Sequence, residues 1–146
     1  MDREDVELRN ATYRAFVDLG RAPMAAEVAA STSLDADDVH EGWRRLHDAH
    51  ALVLDATGEL RMANPFSAVA TPFRVQAAGR SWYANCAWDA FGIGASLRVD
   101  CWIECECADC GDPIRIHVRD RRPDDEALVF HVLVPARSWW QDIGFT

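Results

Sequence analysis

The sequence predicts an α+β fold: a winged-helix-like helical module at the N-terminus, then a small mixed or antiparallel β-sheet core with one helix carrying CAWD. Three observations predict it. Apolar residues over the first sixty positions recur at helical spacing. A stretch bracketed by prolines, NPFSAVATP, interrupts that pattern from Asn64 to Pro72. Beyond it the apolar residues fall into short, strand-like runs. The boundaries follow as 1–62 for the module, 63–72 for a linker and 73–146 for the core.

Leu8, Tyr13, Phe16 and Val17 form the stripe of a first helix, which Gly20 and Pro23 end. A short helix over Ala25 to Ala30 comes next. In the third, Asp35 is placed to cap and Asp38 sits three residues on, an aspartate form of the capping box. Val39, Trp43 and Leu46 then share one face. ALVLDATGELRMA alternates around Thr57 and Gly58, as a β-hairpin does. In the core, two short strands are expected around Gly79 between Phe73 and Ala84. Leu97 to Ile103 and Ile114 to Val118 read as strands flanking a cysteine-rich turn, and the apolar run Leu128 to Val134 reads as a central strand. The ending, SWWQDIGFT, is unusually hydrophobic.

At 146 residues the chain can bury a real core. Its net charge is −9, and its fifteen basic residues are all arginine. A helical module of this shape raises DNA binding, but Asp35 to His50 carries five acids against two arginines. Repulsion from phosphates argues against a nucleic-acid partner. No apolar run has the length of a membrane span, so no membrane partner is expected. The charged first twenty residues lack a signal-peptide core, which makes the cytoplasm the expected location. His40, His47 and His50 read as solvated side chains of one acidic helix. His117 and His131 are expected on separate strands, and Asp124, Asp125 and Glu126 in a charged loop.

The chemistry concentrates in cysteine. Cys86, Cys101, Cys105, Cys107 and Cys110 make an odd count in a chain without a signal peptide, which favours metal or thiol chemistry over disulfides. In WYANCAWDAF, Asn85 is a good N-cap, which places Cys86 in the first turn of a helix that Gly92 and Gly94 should stop. Backbone N–H groups and the helix dipole there should lower the thiol pKa. Asp89, one turn on, should have its own pKa raised beside a thiolate and hold a proton. Trp82, Tyr83, Trp88 and Phe91 would exclude water. The plainer alternative makes Cys86 a small core residue and Asp89 a helix-terminus acid.

CWIECECADC spaces the other four cysteines as C-x3-C-x-C-x2-C. Cys101, Cys105, Cys107 and Cys110 could hold a structural zinc, with Gly111 closing the knuckle. The alternative is a reduced surface turn with no resident metal.

NPFSAVATPFRV, WYANCAWDAFGIGASLRVD and the cysteine-rich turn running into GDPI together resemble the organomercurial (alkylmercury) lyases, over nearly the whole chain. The resemblance implies that Cys86 attacks mercury and Asp89 delivers a proton to carbon, with an organomercurial as the small-molecule substrate. It implies no organic cofactor, and Hg(II) passing to cellular thiols or a mercuric reductase. That family also uses a second catalytic cysteine, past a segment that SWWQDIGFT approaches. No cysteine follows Cys110, so the expectation is a core truncated at its C-terminus or a shortened homologue. The competing expectation is a non-catalytic module that binds or senses Hg, Zn or Cu, with the winged-helix-like part docking a partner.

Overall fold

The computed structural model describes residues 2–125 and 127–144. Glu126 of the expected charged loop, and Phe145 and Thr146 of the hydrophobic ending, lie outside the described residues.

The first part of the chain folds as three helices and a hairpin: α1 (Arg3–Leu19), α2 (Ala25–Ala29), α3 (Ala36–Asp48), β1 (Val53–Leu54) and β2 (Leu60–Ala63). Gly20 ends α1 in the left-handed conformation, φ 70°, with its N–H on the Phe16 carbonyl. The capping box of α3 forms in both directions: Asp35 Oδ1 accepts from the Asp38 N–H at 2.9 Å, and Asp38 Oδ2 from the Asp35 N–H at 3.2 Å. The expected face of α3 is buried, with Val39, Trp43 and Leu46 all at 0% exposure. Trp43 Nε1 donates to Thr12 Oγ1 at 2.9 Å, and Thr12 donates to the Leu8 carbonyl, so the buried indole keeps a partner. His40 and His47 do more than face water. His40 contacts Glu59 at 2.9 Å and His47 Nδ1 accepts from the Leu54 N–H, which ties α3 to the hairpin.

The expected linker carries a strand of its own, β3 (Phe66–Ser67). After it come β4 (Arg74–Ala77), β5 (Arg80–Ala84), α4 (Ala87–Leu97), β6 (Cys101–Glu106), β7 (Pro113–Arg119) and β8 (Arg122–Pro123). Among the described residues the strands form one sheet in the order β1-β2-β3-β5-β4-β6-β7-β8, and every pairing is antiparallel. Ala78 and Gly79, both at positive φ, turn β4 into β5. No helix among the described residues is long and apolar enough to cross a membrane.

There are two cores. One lies between α1, α2, α3 and the β1–β2 hairpin and is built around Trp43. The other lies on the sheet, where Phe16 of α1 and Ile93 of α4 meet Phe66, Val75, Trp82 and Ile103.

Three local expectations are corrected. The helix bearing CAWD does not stop at Gly92 or Gly94 but runs to Leu97, and the strand expected from Leu97 begins at Cys101. The two glycines serve close packing. A methyl at Gly92 would lie 3.2 Å from Pro65 Cβ, and one at Gly94 would lie 2.6 Å from Cys101 Sγ. The third correction concerns Leu128 to Val134, where His131 was also expected on a strand. None of it is strand, and Val129 is 90% exposed. The edge it would extend is already taken by β8, whose Pro123 has no N–H to offer a further ladder. A short 3₁₀ turn, Ala136–Gln141, follows.

Candidate active site

Strand β5 delivers the chain to the site and α4 leaves from it. Asn85 lies between them, and Cys86 is the N-cap of α4 in extended conformation, φ −150°, rather than a residue of its first turn. The expected cap, Asn85, stands one position early and uses its side chain elsewhere. Its Nδ2 donates to Asp89 Oδ2 at 3.1 Å, to Asn64 Oδ1 at 3.0 Å and to the Phe66 carbonyl at 3.3 Å. Asp89 is thereby tied through Asn85 to Asn64 and Phe66. The Cys86 thiol donates to the same oxygen, Asp89 Oδ2, at 3.8 Å. Sulfur and carboxylate are thus brought together as the spacing implied.

Both groups are half-buried, and burial governs their titration. Desolvation raises the Asp89 carboxyl above its usual range, against the hydrogen bonds from Asn85 and Cys86, which lower it. The rise was expected, but burial is its cause rather than a neighbouring thiolate. The Cys86 thiol is also raised, first by desolvation and further by the Asp89 charge. The N–H groups of Asp89 and Trp88 pull it down, as a helix N-terminus should, and do not prevail. The lowering expected from the helix start is outweighed by burial and by the Asp89 charge.

The walls of the site come from unexpected places. Cys86 and Ala87 open on a cavity of about 150 Å³, roughly the size that holds one aromatic ring. Its other walls are Phe73, Phe130, His131, Val132, Leu133, Val134 and Trp139. Of the aromatics expected there, Trp82 is buried in the sheet core with Nε1 on the Phe16 carbonyl, and Tyr83 is exposed. Trp88 is 62% exposed and lies tilted against Phe130, and Phe91 faces a neighbouring cavity. The segment expected as a strand instead covers the thiol with apolar side chains. Tyr13 of α1 also reaches this region. Its hydroxyl donates to the Asn64 carbonyl at 2.9 Å, and its titration is raised by burial and by the nearby Asp89 charge.

The four cysteines expected as zinc ligands are not gathered at one point among the described residues. Among the described residues no three histidine, cysteine, aspartate or glutamate side chains gather as metal ligands. Alternation along β6 turns Cys101 inward beneath Gly94, where it is 2% exposed and serves as packing. Four strand positions carry Cys105 roughly 13 Å further along. Cys107 and Cys110 flank the turn beyond the strand. The N–H groups of Cys110 and Asp109, then the Cys110 thiol, lower the Cys107 pKa. For Cys110, the Asp112 N–H lowers the pKa, but the Asp112 carboxyl and Cys107 together raise it.

A thiol in contact with a half-buried carboxyl, opening on an apolar cavity, marks the candidate site of this α+β protein. The alkylmercury lyase model (MerB) matches residues 66–146, and the chain belongs to that family. No curated protein matches it. Among solved structures, the mercury-bound form of MerB2 is similar in fold, with a TM-score of 0.68 at 22% identity. The match covers 86% of this chain and 60% of that one, so the chain spans well under two thirds of its length.

Proposed function

We propose that the chain cleaves carbon–mercury bonds, with Cys86 taking the metal of an organomercurial R–Hg–X and Asp89 protonating the carbon. One observation carries this reading: the Cys86 thiol donates to Asp89 Oδ2 at the wall of an apolar cavity. Burial raises both the thiol and the carboxyl, and their contact lets one proton pass between them. When mercury meets the sulfur, an S–Hg bond forms, X⁻ leaves and the thiol proton passes to Asp89. Mercury is soft and prefers thiolate. The same proton then moves from Asp89 to the carbon while the C–Hg bond breaks, and R–H departs. Asp89 returns to carboxylate and Hg(II) stays on Cys86 until a cellular thiol or a mercuric reductase removes it. No organic cofactor enters.

Asn85 positions the carboxylate rather than reacting, and the apolar walls keep water from competing for the proton. The five free cysteines fit a reducing compartment such as the cytoplasm. Residues 1–62 are read as a winged-helix-like unit whose contribution is structural, since Tyr13 supports Asn64 and Asn64 supports Asn85. The test is headspace detection of benzene from phenylmercury in the presence of excess thiol. If the wild-type chain releases none, the reading is wrong.

A further inference from the structure

We propose that Cys107 and Cys110 form a second thiol site, a chelating pair for a two-coordinate soft cation, which takes over the Hg(II) left on Cys86. The transfer rests on the lyase reading above; the chelation does not.

The two residues flank one tight turn. The Cys107 N–H donates to the Asp112 carbonyl at 2.8 Å and the Gly111 N–H to the Cys107 carbonyl at 2.9 Å. Gly111 sits at φ 76°, a conformation that suits glycine and lets the chain reverse there. The turn sets Cys107 and Cys110 on either side of one chain reversal, three residues apart. Neither sulfur has a packing duty of the kind Cys101 has beneath α4, since Cys110 is exposed and Cys107 only half-buried. Among the described residues no three ligands gather, but Hg(II) needs only two thiolates.

The pair also lies on a path from the reactive thiol. A cavity of about 480 Å³ is lined by Cys105 and Cys107, and it shares Phe73, Ala87, Phe130 and His131 with the cavity at Cys86. An ion leaving Cys86 through that shared wall enters the cavity that Cys107 lines. In the transfer, Cys86–S–Hg⁺ and two thiols give Cys107–S–Hg–S–Cys110, with one thiol proton going to Cys86 and the other to water. No oxidant or reductant is needed. Two sulfurs on one turn should outcompete separate monothiols by about 10²–10⁴-fold through effective concentration.

The experiment loads the whole chain with one equivalent of HgCl₂, adds excess glutathione, and locates retained mercury by native and peptide mass spectrometry. Cys86→Ser should keep one Hg(II), carried on the peptide containing residues 107–110. Adding Cys110→Ser should lower the glutathione concentration that strips it by about 10²–10⁴-fold. Adding Cys105→Ser instead should leave retention as it was. Unchanged retention without Cys110, or lost retention without Cys105, overturns the pair. With phenylmercury as probe, mercury should appear on residues 107–110 once benzene is released, and mercury that stays on Cys86 overturns the transfer. Retention of HgCl₂ by the pair with no benzene released leaves the site standing, and the lyase reading and the transfer fall together.

Discussion

Cys86 and Cys107 receive the same help from the backbone and end with opposite acidity. Each sulfur is approached by two main-chain N–H groups, from Trp88 and Asp89 at Cys86 and from Asp109 and Cys110 at Cys107. Cys86 is nevertheless raised and Cys107 lowered. The difference lies in what else surrounds the sulfur. Around Cys86, Phe130 and its neighbours remove water and Asp89 adds a negative charge. Cys107 lies at a surface turn where burial costs it little, and the Asp109 charge raises it less than the N–H groups lower it. Donors at a helix start bias a cysteine toward thiolate, but desolvation outweighs them. At Cys86 the site keeps its proton until a soft metal displaces it.

The largest effect expected from breaking this contrast is at Cys86. Cys86→Ser should drop benzene release to the solution background, because a hydroxyl is a poor mercury ligand, while alkylation of Cys107 stays as in the wild type. Residual release above background would mean that another cysteine is the nucleophile. Next comes Asp89→Asn, which should slow cleavage by about 10²–10⁴-fold and still allow stoichiometric capture of phenylmercury on Cys86. Equal losses of capture and cleavage would make Asp89 a support for the fold instead.

Removing the Asp89 charge also tests why Cys86 is raised. In the wild type, iodoacetamide should modify Cys107 faster than Cys86 at neutral pH. Asp89→Asn should shift the alkylation profile of Cys86 to lower pH, because one of the groups raising the thiol is gone. Peptide mass spectrometry across a pH series reads both, and an unmoved Cys86 profile would leave burial as the whole cause.

Smaller effects bear on stability. Gly94→Ala should cost about 1–3 kcal/mol in urea unfolding, since its methyl would press on Cys101 Sγ at 2.6 Å, and Cys101→Ala should return part of that loss. Asp89 provides the smallest. Its folded pKa lies above the unfolded value of about 3.9, so the stability it contributes is present below that value and is lost as pH rises through the folded one. Thermal melts from pH 3 upward should show the wild type losing stability relative to Asp89→Asn across that window. Parallel curves would contradict it.

What could be read from the sequence was local. Val39, Trp43 and Leu46 announced their face by spacing, and Asp35 with Asp38 announced the helix start. Cys86 and Asp89 meet because residues three apart share a helix face. The rest depends on partners that spacing cannot reveal. Gly92 and Gly94 looked like helix stops because glycine lowers helix propensity, yet Pro65 crowds the first and Cys101 Sγ leaves no room for a methyl at the second. The run Leu128 to Val134 has strand composition, but whether a free sheet edge awaits it depends on β8. Phe73 and Phe130 reach the thiol from more than ten and more than forty residues away. Asn85 was visible as a capping residue, and its true bond to Asp89 at i+4 was available to the same spacing argument.

Strand β3 is only two residues long, yet it joins the two ends of the sheet. Phe66 and Ser67 pair with Met62 and Ala63 on one side and with Tyr83 and Ala84 on the other. Phe66 also stacks on Phe16 at 5.2 Å and meets the edge of Trp82. Opening this strand would therefore sever the ladder between both halves at once and uncover both cores' shared seam. Local unfolding proceeds in cooperative blocks, and a block boundary falls where few contacts cross. Here many cross, so hydrogen exchange at Ser67 and Ala84 should keep pace with that of the helix carrying Trp43. The segment between module and core then acts as a keystone, and the helical unit could not be exchanged as a cassette without disturbing the residues that hold Asp89.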